Sequence, residues 1–110
     1  MFNAKKKLLL YESRSGEAPF ENWLENLGDR QARHIIRARL DRLAYGVPGK
    51  CRAVGGGVFE LKIFFGPGYR VYYGEEGVKV IVLLYGGDKS TQTRDIQAAH
   101  KYWNDHKERK

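Results

Sequence analysis

The stretch from residue 58 to residue 85 constrains the fold most. It holds three apolar runs, "VFELKIFF" (58–65), "YRVYY" (69–73) and "VKVIVLLY" (78–85), joined by short glycine-containing links. The first run alternates, with Phe59, Leu61, Ile63 and Phe65 on one side and Glu60 and Lys62 on the other. In the second, Arg70 and Tyr72 share a face. The third is apolar on both faces, as a central strand is. "GPG" (66–68) and "GEEG" (74–77) leave room only for tight turns, so the three strands are predicted to form an antiparallel meander. At the first link, Pro67 fixes its own φ and Gly68 takes a positive one. The pair suits the central positions of a type II turn.

The flanks supply the covering layer. "KLLLYES" (7–13) reads as a strand that ends at Ser15-Gly16. Pro19 opens a helix whose Phe20, Trp23, Leu24 and Leu27 repeat at helical spacing, and Gly28 stops it. Asp29 then caps a second helix, with Ala32, Ile35, Ile36, Leu40 and Leu43 as its apolar stripe and Gly46 and Pro48 as its end. "TRDIQAAHKYWNDHKERK" is predicted as a C-terminal helix, with Ile96, Ala99 and Trp103 facing inward and a frayed basic tail. The order is β-α-α-β-β-β-α. The expected fold is a single α+β domain over residues 1–110, an antiparallel β-sheet packed on an N-terminal helical hairpin. One face of the sheet is then covered and the other partly open.

Charge suggests what the open face meets. The formal net charge of +7 points toward polyanions, whether nucleic acid, an anionic membrane surface or an acidic protein. Cys51 is the one cysteine, so neither an intramolecular disulfide nor a cysteine-based zinc site can form. The start "MFNAKKKLLLY" mimics a signal peptide, but its apolar run from Leu8 to Tyr11 is too short for one. "VIVLLY" (80–85) falls far below the roughly 20 apolar residues of a membrane helix. The reading is a soluble cytoplasmic protein without membrane partners.

Collected on the open face are Glu60 and Lys62 from one strand and Arg70 and Tyr72 from the next, with Lys89 following on the glycine-rich segment "YGGDKSTQTRD". Hairpin pairing sets Lys62 and Arg70 on neighbouring strands and one face. Such a cluster suits a phosphodiester, because arginine grips phosphate through a fixed fork, lysine binds it as a point charge, and nearby tyrosines stack single-stranded bases. The plainer alternative is a solvated face in which Arg70 pairs with Glu60. His34, His100 and His106 lie far apart on helices without metal-ligand spacing. "GGDKST" lacks the full phosphate-loop pattern, Arg30, Arg33 and Arg37 form a helix face opposite the apolar stripe, and Ser90, Thr91 and Thr93 suit helix capping.

The segments "PFENWLENLGD", "GGGVFELKIFFGPGYRVYYG" and "VKVIVLLYGGDKSTQTRDIQAA", in this order, carry a resemblance over roughly residues 8–103. The chain resembles the addiction-module killer proteins of the RelE/ParE toxin superfamily, including HigB-like members. The resemblance implies the RelE-like microbial RNase fold and the toxin of a type II toxin–antitoxin pair. Its partners would be a helix-turn-helix antitoxin, a toxin–antitoxin heterotetramer being one expected form, and the ribosome with its mRNA. The activity implied is ribosome-dependent endonucleolytic mRNA cleavage without metal or cofactor; a second branch of the superfamily poisons DNA gyrase instead.

Carried over by position, Arg70, Lys62 and Lys89 are the expected catalytic cations. Glu60 stands where the cleaving toxins have a lysine, and Thr91, Gln92 and Thr93 replace a tyrosine. Tyr69, Tyr72 and Tyr85 remain as candidate substrate contacts. In such cleavage the 2′-hydroxyl attacks, the phosphorane charge is stabilised and the 5′-oxygen is protonated. Arg70 suits the charge and Lys89 the phosphate, while Glu60 or Lys62 is the candidate base.

Overall fold

The alternating runs become the middle of a sheet in the computed structural model, which describes residues 5–109. Strands β3 (Val58–Ile63), β4 (Tyr69–Glu76) and β5 (Val80–Asp88) pair antiparallel in chain order. Two more strands extend them. The chain opens on β1 (Lys7–Leu10), which pairs parallel with β5, and β2 (Cys51–Ala53) pairs antiparallel with β3. The sheet is therefore five-stranded and mixed, in the order β1-β5-β4-β3-β2. This corrects the expected antiparallel sheet on an N-terminal helical hairpin. The first described element is the expected strand, but it joins the sheet parallel to β5 and so makes it mixed. Residues 1–4, part of the stretch compared with a signal peptide, lie outside the described residues, as does the last residue of the basic tail.

Helix α1 (Pro19–Glu25) has its proline in the first turn, where a missing N–H is harmless. Helix α2 (Arg30–Ala44) starts where the Asp29 side chain accepts from the Ala32 N–H at 3.0 Å. It ends in a paired closure: Gly46 at φ 84° lets its own N–H reach the Leu43 carbonyl and the Val47 N–H reach that of Arg42. Together these helices cover one face, burying Phe20, Leu24, Ile36 and Leu40 against Leu61, Ile63, Val71, Tyr73, Ile81 and Leu83.

The other face is not simply open. Helix α3 (Gln92–Glu108), entered through a 3₁₀ turn (Lys89–Thr91), lays Ala99 and Trp103 over Val58, Tyr72, Val82 and Leu84. A bulge between Tyr72 and Tyr73 brings both Leu84 and Tyr85 into contact with this second cluster. Close approach also explains glycines first assigned to links. Gly74 lies inside β4, where an added Cβ would sit 2.6 Å from the Trp103 ring, and the real turn is 77–79. Gly86 and Gly87 lie inside β5 rather than in a loop. A Cβ would meet Trp23 of α1 at 2.2 Å in one case and the Asp95 carboxylate of α3 at 1.8 Å in the other. Among the described residues no helix is long and apolar enough to cross a membrane.

Candidate functional site

The β3–β4 turn aims one side chain. The Gly68 N–H donates to the Phe65 carbonyl at 3.1 Å, so Gly66 and Pro67 are the central pair, one residue earlier than expected. Gly66 has φ 57°, a positive value at the first central position, where type II′ hairpin turns place glycine. Gly68 is also positive, at φ 82°. Its carbonyl accepts from Arg70 Nη1 at 2.7 Å. The turn thus both fixes the register and holds the guanidinium two residues on. That register pairs Lys62 with Arg70 and Glu60 with Tyr72, and on the next strand Arg70 with Gly87 and Tyr72 with Tyr85.

Beneath this pair lies a buried carboxylate. Glu60 is 2% exposed, and it accepts from Arg52 Nε at 2.9 Å through Oε1. Through Oε2 it accepts from the Tyr72 hydroxyl at 3.1 Å and Gln92 Nε2 at 2.8 Å. Arg70 Nε stands 3.8 Å from the same oxygen, too far for a hydrogen bond. Burial pushes the Glu60 carboxyl up. The hydrogen bonds from Gln92, Arg52 and Tyr72, with the Arg52 charge, outweigh it and hold the group below its ordinary value. Glu60 is therefore an ionised counter-charge that ties β2, β3, β4 and α3 together. A carboxylate that acidic, with both oxygens engaged, is a poor proton acceptor.

Above the carboxylate opens a pocket of about 250 Å3 lined by Lys50, Cys51, Arg52, Glu60, Lys62, Arg70 and Gln92. Arg70 lines it while only 4% exposed, and its Nε has no hydrogen-bond partner. That Nε is shut off from solvent beside Glu60, so an anion in the pocket would meet the charge of the Arg70 guanidinium together with the lysines and Arg52.

Among the expected site residues, then, Arg70, Lys62 and Glu60 come together. Lys89 does not line the pocket. It is exposed in the 3₁₀ turn, beside a separate depression formed by residues 89–94. Two of the three tyrosines are buried and none lines the pocket. Tyr72 is 0% exposed beneath α3, and burial followed by the Glu60 charge pushes its phenol up, so it stays a donor. Tyr69 is buried on the opposite face against Trp23, and Tyr85, partly exposed, packs edge-on to Tyr102 in a different depression. Alternation along a strand assigns a side but not what covers it.

Sequence reasoning missed Lys50, Arg52 and the inward role of Gln92. A signal for the first two existed. "VGGGV" (54–58) is a glycine turn before a strand, which makes the preceding "CRA" its hairpin partner. Thr91 precedes α3 but makes no capping bond there; its hydroxyl donates to the buried Asp95 carboxylate.

Fold and site together define a small α+β protein with a cationic pocket built over a buried ion pair. No protein-family model matches the chain. An uncharacterized protein of Haemophilus influenzae (strain ATCC 51907 / DSM 11121 / KW20 / Rd) is 45% identical over 80 residues, spanning 73% of this chain and 81% of that protein. The chain belongs to the same family as that protein, a kinship that brings no activity with it.

Proposed function

We propose that this protein is a cytoplasmic toxin of a type II toxin–antitoxin pair that cuts mRNA on the ribosome. The observation that carries the reading is the Lys62–Arg70 cross-strand pair, set over a pocket whose other charged groups include Lys50 and Arg52. The resemblance to RelE/ParE killer proteins supplies the substrate and the partners: ribosome, mRNA and a helix-turn-helix antitoxin.

In this reading a phosphodiester enters the pocket. The RNA 2′-hydroxyl gives its proton to water, its oxygen bonds to phosphorus, the 5′-oxygen leaves and is protonated, and the products are a cyclic phosphate and a 5′-hydroxyl. Arg70 stabilises the added charge of the phosphorane, since its guanidinium is held in place by the Gly68 carbonyl and the Glu60 charge. Lys50 and Lys62, which line the pocket, are the candidate donors of a proton to the departing oxygen. Glu60 orients Arg52 and Gln92 instead of taking a proton. The ribosome aligns the 2′-hydroxyl for attack, a task no side chain of this pocket is placed to do alone.

The test is induction of the protein in growing cells, with primer extension on a cellular mRNA and a gyrase supercoiling assay in parallel. Discrete new mRNA 5′ ends with unaffected gyrase are the expected result. Inhibited gyrase with intact mRNA would replace this reading by the gyrase-poison alternative.

A further inference from the structure

The pocket lacks the aromatic platform expected of its tyrosines, yet one exposed aromatic ring stands beside it, with Lys62 over one of its faces. Phe64 directly follows β3 and is 69% exposed. Lys62 Nζ, from the pocket lining, lies 5.0 Å from the centre of its ring. Phe64 therefore sits on the side of the hairpin that carries Lys62 and Arg70. The other large exposed apolar residues lie elsewhere: Leu10 ends β1, Tyr45 and Val47 follow α2, and Val78 is in the β4–β5 turn.

We propose that Phe64 is the platform on which an unpaired base of bound RNA stacks, next to the phosphodiester held in the pocket. The inference rests on the phosphodiester reading of that pocket. Proteins that hold single strands join a cationic track for the backbone to an aromatic face for the bases. Here the two parts are two residues apart on one hairpin. A phenyl ring has no hydrogen-bonding edge, so the contact selects for an unpaired base without selecting which one.

The test uses a fluorescein-labelled ten-nucleotide 2′-O-methyl RNA, which cannot be cleaved, with binding read by fluorescence anisotropy at low salt. A parallel set carries one abasic site at each position. Phe64→Ala and Phe64→Leu are expected to weaken binding about tenfold, within the range of base–aromatic stacking, while Phe64→Tyr and Phe64→Trp stay within about twofold of wild type. At one position, removing the base should cost the wild type the same tenfold and cost Phe64→Ala nothing more. Additive losses at every position would overturn the inference. Full retention by Phe64→Leu would do so as well, since an aliphatic side chain has no ring face on which a base can stack. If wild type binds none of these oligonucleotides, the phosphodiester reading falls and takes this inference with it.

Discussion

Arg70 Nη1 donates to the Gly68 carbonyl at 2.7 Å, so the residue that closes the hairpin turn also holds the guanidinium. Gly68 sits at φ 82°, and an added Cβ would lie 3.4 Å from that same Nη1. Gly68→Val is expected to destabilise the fold by about 1 kcal/mol or more, because a β-branched residue resists this backbone conformation. It should also displace Arg70 and reduce toxicity. Urea unfolding and a growth assay of the variant check the two effects. Wild-type stability and toxicity together would show that the turn does not aim Arg70.

Glu60 carries the acid sensitivity of the site. Its carboxyl is held below the ordinary value of 4.5, so its contribution to stability is complete above that pH and is lost as pH falls through the lower folded value. Asp95 acts the other way: burial raises it, so acid relieves a penalty. Glu60→Gln is expected to destabilise by roughly 1.5–3 kcal/mol at pH 7, in the range of lost hydrogen bonds to a charged group. The gap from wild type should shrink as pH drops below 4.5. Urea melts of both proteins between pH 7 and pH 3 measure it. A gap independent of pH would mean that Glu60 is not held as an ionised group.

Gly86 is a packing glycine. Its absent Cβ leaves the space that the Trp23 ring fills, at 2.2 Å from where that atom would stand. Gly86→Ala should destabilise by roughly 1–3 kcal/mol through overpacking, with an unchanged denaturant slope. Gly77→Ala is its contrast. That residue has φ 63° and nothing within 4 Å, so its loss reflects backbone strain alone. Equal stability of Gly86→Ala and wild type would place Trp23 elsewhere.

What the sequence revealed was local. The Lys62–Arg70 pairing was legible because a short turn leaves the hairpin one register, and the face then follows from alternation. The parallel partnership of β1 with β5 was not, since it joins Lys7 to Val80 across most of the chain and no periodicity encodes it. Arg52 was missed because β2 spans only Cys51–Ala53, too short to show an alternating pattern. Gln92 reaches Glu60 only through the placement of α3, which also buries Tyr72. The resemblance put Lys89 beside the scissile phosphate; in the folded chain it is exposed in the 3₁₀ turn and lines a neighbouring depression that shares Gln92 with the pocket.

The most direct measurement is single-turnover mRNA cleavage on programmed ribosomes by wild type and Arg70→Ala, with ribosome binding measured for both. Arg70 would act on charge that develops only in the transition state. Its loss should therefore slow cleavage about a hundred- to thousandfold. Binding, spread over many phosphate contacts, should fall much less. Arg70→Lys should rescue poorly, because an ammonium cannot take the place of the planar fork held by Gly68. Equal losses of binding and cleavage would make Arg70 a docking residue, and undiminished cleavage by Arg70→Ala would contradict the mechanism outright.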